Sequence, residues 1–158
     1  MILIELGLQE ILKRGVYNYI DRERPGITPE EVQVVQRQAF TADYFITGTN
    51  AITEKGELFN IDGNGNRVAA ISYGPKEVIV IAGSNKIVRD AEEARKRVKE
   101  ISAPANAMRL DCNTPCTIDG ICRNCASEKR ICCTEVLTGY QRIKNRIKVI
   151  IVDGDFGF

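Results

Sequence analysis

The sequence predicts an α/β fold with a mostly parallel sheet, and three observations carry that prediction. Residues 77–82, Glu-Val-Ile-Val-Ile-Ala, form a continuous aliphatic run without polar alternation, as in a central strand buried on both faces. Helical patterns with recognisable starts lie on either side of it, at Thr28-Pro29-Glu30-Glu31 and at Asp90. Between the first of these and the aliphatic run, residues 42–67 read strand, polar loop, strand, glycine turn.

Taken in order, residues 3–14 read as an amphipathic helix with Leu3, Leu6, Leu8, Ile11 and Leu12 apolar, and Gly15 as its stop. Val16–Ile20 alternates like a short strand, and Asp21–Ile27 is a charged loop containing Pro25-Gly26. Thr28 begins a capping box with proline at the first helical position, which predicts a helix from Pro29 to about Thr41. Tyr44-Phe45-Ile46 is a β-prone apolar run. A loop over Thr47–Gly56 follows, then a strand from Leu58 to Ile61 and a turn at Asp62-Gly63-Asn64-Gly65-Asn66. Arg67–Ser72 reads as a further strand, and Gly74-Pro75 turns the chain into the aliphatic run. Asp90 caps a predicted helix from Ala91 to about Ile101. Its inner face is Ala94, Val98 and Ile101, its supporting pairs are Glu92/Lys96 and Glu93/Arg97, and its outer charges are solvated. Pro104 opens a short helix to about Leu110, and Ile147–Val152 is the last strand.

At 158 residues, with 44% hydrophobic and 27% charged residues, the chain is expected to be one globular domain with a real core. The net charge of +1 gives no argument for nucleic acid or an anionic membrane surface. No apolar run is long enough to span a bilayer, and the N-terminus lacks a basic region and cleavage site, so a cytoplasmic location is expected. There is no histidine, which removes Ser–His and Cys–His nucleophile pairs. Acid–base chemistry must then use Asp, Glu, Lys, Tyr or Cys.

The loop after the Tyr44 strand gathers Thr47, Thr49, Asn50, Thr53 and Glu54 around Gly48 and Gly56. Polar groups at a strand end are where open α/β sheets place ligands. The polar turn Gly83–Lys86 would lie beside it if the two strands are neighbours, with Lys86 as the cation for a carboxylate or phosphate. The candidate ligand-binding set is Thr49, Asn50, Asn66, Arg67 and Lys86, with Glu54 as the candidate catalytic carboxylate. A loop with good turn chemistry and a solvated lysine explains the same residues without a ligand. Asp153 and Asp155, at the end of the last strand, could line the same pocket. Arg142, Lys144, Arg146 and Lys148 form a basic run, read as an exposed face or as a docking surface for an acidic partner.

All six cysteines fall between Cys112 and Cys133. In a cytoplasmic chain such clustering favours metal over disulfides. Cys122 and Cys125 have chelating C-x-x-C spacing, and Cys116 and Cys132 flank them to give C-x5-C-x2-C-x6-C. Four soft thiolates suit an iron–sulfur cluster or zinc. A bare loop or a thiol redox site is the alternative. Cys112 and Cys133 are extra to this set.

Five segments together resemble the LUD domain family, which includes lactate utilisation protein C: ADYFITGTNAITEKGELFNIDGNGNRVA (42–69), GPKEVIVIAGSNKIV (74–88), TPCTIDGICRNC (114–125), RIC (130–132) and RIKVIIVDGDFGF (146–158). The resemblance is to the cysteine-containing members and covers nearly the whole chain as one domain, with residues 111–133 as a cysteine-rich, metal-binding insert. It implies a three-layer α/β/α fold like those of ribose-5-phosphate isomerase and the CoA transferases. It also implies a link to oxidation of lactate to pyruvate alongside iron–sulfur partners. Cys116, Cys122, Cys125 and Cys132 match the family's TPC…GxCxxC…RxC pattern, with Asn124 where an acid is usual. Relative to the family the chain begins inside a Gly-Gly-Ser-type loop, without the strand–helix unit before it. An exposed sheet edge, covered by a partner chain or a second copy, is the expectation.

Three functions follow. One is an accessory or subunit of 2-hydroxy acid oxidation with a cysteine-ligated iron–sulfur cluster and an electron-transfer partner; no flavin or nicotinamide fingerprint is present. Another is a CoA-transferase- or isomerase-like enzyme or binder of a small anion. The isomerase proton-transfer acid would align with Asn50, an amide, leaving Glu54 as base or nucleophile. The third is a zinc-stapled assembly module without catalysis.

Overall fold

The computed structural model describes residues 2–158. The N-terminal segment forms two short helices, α1 (Ile2–Glu5) and α2 (Leu8–Leu12), rather than the single helix expected over 3–14. Gly7 lies between them with φ of 68°, a left-handed conformation that interrupts the helix. Val16–Ile20 forms no strand; Val16 and Tyr17 are largely exposed, and no neighbouring strand pairs with them. The capping box forms as expected: Thr28 Oγ1 accepts from Glu31 N, and Glu31 Oε2 accepts from Thr28 N, opening α3 (Pro29–Gln38). One 3-10 turn extends it to Thr41.

The strands β1 (Tyr44–Thr47) and β3 (Leu58–Asp62) form as the sequence implies, but the expected loop over Thr47–Gly56 contains a further buried strand, β2 (Ala51–Thr53), which pairs with β3 and with Ile87–Val88. The next segment corrects the sequence reading, because Asn66–Tyr73 is a helix, α4, and not a strand. Val68-Ala69-Ala70-Ile71 satisfies both periodicities, and local chemistry decides between them. Asp62 Oδ2 accepts the early helical N–H of Val68 at 2.9 Å, and Gly65 enters the helix at φ 75°. Val68, Ala70 and Ile71 are buried as a result. At Gly74 a Cβ would lie 2.6 Å from the Ala70 carbonyl oxygen, so only glycine permits this exit from α4.

β4 (Glu77–Gly83) and the two-residue β5 (Ile87–Val88) precede α5 (Ala91–Arg97), whose N-cap Asp90 accepts from Glu93 N. Residues 98–102 wind as a π turn, and α6 (Ala103–Arg109) and α7 (Cys116–Asp119) follow. The π turn departs from the continuous α-helix expected to Ile101. It leaves Val98 buried but turns Ile101 outward, half exposed. β6 (Thr134–Thr138) and β7 (Ile147–Val152) complete the chain.

The strands form two sheets, with orders β1-β4-β7 and β5-β2-β3-β6. The pairings β1–β4, β4–β7 and β2–β5 are parallel, and β2–β3 and β3–β6 are antiparallel. The fold is thus mixed α/β with mainly parallel pairing, consistent with the three-layer arrangement. Val78, Val80 and Ala82 of β4 pack with Ile52, Leu58 and Ile71, which joins the two sheets and α4 in one core. On the other face of the mixed sheet, Ala51 and Phe59 pack with Ala94, Val98 and Ala103.

The basic run is not one exposed face. Arg146 is 5% exposed and donates to the carbonyls of Pro75 (3.1 Å), Ile71 (2.6 Å) and Ala70 (3.1 Å). The last carbonyls of a helix lack intrahelical partners, and the guanidinium supplies them. Lys148, by contrast, pairs with Glu77 at the surface. Replacing Arg146 with Met should lower unfolding free energy by about 3 kcal/mol, since buried acceptors are left without donors. Lys148→Met should cost under about 1 kcal/mol. Urea denaturation of both variants checks the contrast, and equal losses would contradict it.

Candidate functional site

The carboxyl ends of β1 and β4 bring two polar loops together, where open sheets place ligands. Asn50 is the hub. Its Oδ1 accepts from Arg67 Nη2 at 2.6 Å and from Ile61 N at 3.0 Å. Its carbonyl oxygen accepts from Arg97 Nη1 at 3.0 Å, and its N donates to the buried Asn60 Oδ1 at 3.4 Å. Arg67 also grips Asp62 Oδ1 from Nε (2.9 Å) and Nη2 (2.7 Å).

Lys86 stands beside this hub, as its sequence position implied. It is 4% exposed, and its Nζ donates to the Thr49 carbonyl at 3.2 Å. Burial is the main cause that lowers its pKa to about 8, and the Arg97 and Arg67 charges add to it, against the opposing pull of Glu5. Gly157 of the C-terminal segment packs against it: a Cβ there would lie 3.2 Å from Lys86 Nζ. That segment is held by Asn85 Nδ2 donating to Gly157 O (3.3 Å) and by Gly157 N donating to Glu5 Oε2 (2.9 Å). Gly83 is required at the end of β4, because a Cβ there would meet Asn85 Oδ1 at 2.5 Å and Gly154 O at 2.7 Å.

Thr49 is buried, and its hydroxyl lies within hydrogen-bonding distance of the Ala51 and Phe59 carbonyls, so it shapes the loop from within. Asn66 opens α4 next to Arg67. Glu54 is exposed at the far end of β2, with its backbone N donating to Val88 O. The length of β2 separates it from Asn50, so the structure does not bring these two together. Asp153 and Asp155 are exposed, and Asp153 Oδ1 accepts from Ser84 Oγ at 3.2 Å.

Arg97 is the residue that sequence reasoning missed. The helical spacing pairs it with Glu93 on a solvated face, but Glu93 bonds Arg89 instead. Arg97 turns inward to Asn50 O, Asn85 O (3.3 Å) and Ser102 Oγ (2.9 Å). Burial lowers its pKa. The available signal was its position three residues after buried Ala94.

A second site lies in the cysteine segment. Cys116, Cys122, Cys125 and Cys132 line one cavity of about 20 Å³, walled by Ala103 and Ala107 of α6 together with Thr114 and Arg130. All six cysteines are free thiols. Arg130 ties the loop from within, donating to Cys132 O (2.8 Å), Cys125 O (2.6 Å) and Asn124 Oδ1 (3.1 Å). Burial is the main cause that raises the Cys132 pKa, and Arg130 opposes it. Asn124 adopts φ 47°, a left-handed conformation that Asn and Asp both tolerate. The amide in place of the usual acid therefore leaves the C-x-x-C turn intact. Asp119 does not line the cavity, and its pKa is held down to about 2 by Arg123, which does. Among the described residues, no three thiol or carboxylate groups are gathered closely enough to hold a single metal ion.

The Lys86 pKa fixes a pH dependence. Below about pH 8 Lys86 is protonated in both states, and the desolvation penalty is fully present. From there to its ordinary 10.5 the unfolded chain binds more protons, so stability rises with pH. The stability of the parent relative to Lys86→Met should therefore improve across that window, as read from urea midpoints. A constant difference would show that Lys86 is solvated.

No helix among the described residues is long and apolar enough to cross a membrane. No curated protein sequence is significantly similar. The crystal structure of a DUF162 family protein from Deinococcus radiodurans is similar at 16% identity and a TM-score of 0.39, over 97% of this chain and 84% of that one. The LUD domain model matches residues 1–152, and this chain belongs to the LUD domain family, which is linked to lactate utilisation.

Proposed function

We propose that this LUD domain is an accessory of 2-hydroxy acid oxidation that holds an iron–sulfur cluster through Cys116, Cys122, Cys125 and Cys132. The observation that carries the reading is their convergence: Cys116 of α7, Cys122 and Cys125 of the C-x-x-C turn, and Cys132 line one cavity against Ala103 and Ala107. The donor set fits the group, since four soft thiolates without histidine suit a cluster. Such a cluster supplies one-electron transfer. The protein's own contribution is the wall of α6, the partial exclusion of water at Cys132, and the Arg130 guanidinium beside the thiolates, which offsets negative charge. The residues that would oxidise a 2-hydroxy acid belong to a partner, which fits the lack of a flavin or nicotinamide fingerprint here.

Anaerobic purification with iron, sulfide and zinc analysis and an absorption spectrum tests this. Stoichiometric iron and sulfide, lost in Cys122→Ser/Cys125→Ser, is the expected result. One zinc without visible absorption would make the segment a structural staple, and no metal would overturn the reading.

A second reading is favoured by the polar hub. Lys86 is a buried and Arg97 a half-buried cation, and their hydrogen bonds go to carbonyl and hydroxyl oxygens rather than carboxylates. Two such cations beside Asn50 suit a small carboxylate or phosphate that enters when the C-terminal segment lifts from Lys86. Calorimetry with lactate, pyruvate and inorganic phosphate should show binding to the parent that weakens about tenfold or more in Arg97→Leu. Equal affinity in both would remove the hub as the site.

A further inference from the structure

We infer that β7 is a dimerisation edge, and that a second copy of this chain pairs with it antiparallel to make one continuous sheet of six strands. The inference is independent of the cysteine site. It begins with an edge: the order β1-β4-β7 leaves one side of β7 without a strand partner among the described residues. Val78 N donates to Arg146 O, so Arg146 and every second residue after it turn their backbone toward β4. Ile147, Val149 and Ile151 then present their N–H and C=O groups outward. Free edges are normally blunted by charge, proline, bulges or a covering element. β7 has six residues in regular register, five of them aliphatic, and its one charge, Lys148, is tied back to Glu77.

The side chains agree. Val149, Ile150 and Ile151 are 42%, 49% and 51% exposed, although they belong to the aliphatic strand paired with the centre of the fold. Consecutive residues point to opposite faces, so both faces of β7 carry open apolar surface. A partner strand covers both at once through cross-strand contacts.

The charges flanking the strand set the occupant and its direction. Arg142 and Lys144 precede β7, and Asp153 and Asp155 follow it, all exposed. Antiparallel pairing about a two-fold axis lays the basic entry of one copy beside the acidic exit of the other. Parallel pairing would juxtapose like charges. The edge is thus self-complementary in backbone, apolar surface and charge, as an isologous interface requires.

Sedimentation equilibrium of the whole chain across a concentration series tests the proposal. A reversible species of twice the 17.6 kDa chain mass is expected. Ile150→Lys should raise the dissociation constant about tenfold or more, with circular dichroism unchanged. Lys144→Glu and Asp155→Lys should each weaken the dimer at low salt. Combining them should restore affinity, because the reversed charges again face each other. A single 17.6 kDa species at all concentrations overturns the proposal. So does growth beyond two copies, or a dimer indifferent to all three substitutions.

Discussion

Everything in this fold depends on β4 being paired along both edges and fully buried on the face that meets the second sheet. Val78, Val80 and Ala82 have no exposed surface, so no other strand could be lost with as much consequence. Its register with β1 and β7 aligns three carboxyl ends, from which the loops at Gly48, Ser84 and Asp153 emerge together. The same three side chains reach across to Ile52 and Leu58 of the second sheet. One aliphatic strand therefore positions the polar hub and joins the two sheets in a common core. The apolar contribution is large, at about 25 cal/mol for each Å² removed from water. The hub above it can then hold Lys86 out of water, with Arg97 half-buried beside it, at a cost the core offsets.

Much of the architecture was legible in the sequence where several signals agreed. The Thr28 capping box, the Asp90 cap and the aliphatic run at 77–82 each combine composition with a boundary signal, and each forms its element. Failures came where one signal stood alone. Val16–Ile20 alternates, but alternation supplies no partner strand. Residues 67–72 satisfy two periods, and the deciding bond comes from Asp62, whose role as a cap depends on how Gly65 turns. Arg146 sits in sequence among charged neighbours, and nothing in that run marks which basic residue points at a helix end. The candidate site was legible in its loops and opaque in its long-range partner. Asn50, Arg67 and Lys86 come together from segments the sequence marked as polar, whereas Arg97 arrives from a helix face that looked solvated. Glu54 lay in the right loop by number and at its far end in space.

The two candidate sites share one piece of structure. α5 carries Arg97 to the Asn50 loop, and α6 supplies Ala103 and Ala107 to the cysteine cavity. The π turn at residues 98–102 connects them, and Ser102 in that turn bonds Arg97 directly. Such turns are frequent at functional sites. Here the turn sends Ile101 to solvent and brings Ser102 inward, so the bond to Arg97 exists because the helix is wound with wider spacing at that point.

That winding has a rotational meaning. In the π turn Ala103 N donates to Val98 O, one residue farther back than an α-helix would reach. One residue corresponds to about 100° of turn around an α-helical axis. Tightening the segment to α geometry would change the phase of α6 relative to α5 by that amount. The alanine wall would swing away from the four thiols while Arg97 kept its place, or Arg97 would leave Asn50 while the wall stayed. The π turn thus works as a phase-setting joint, and the two sites can be satisfied together only in its wider winding.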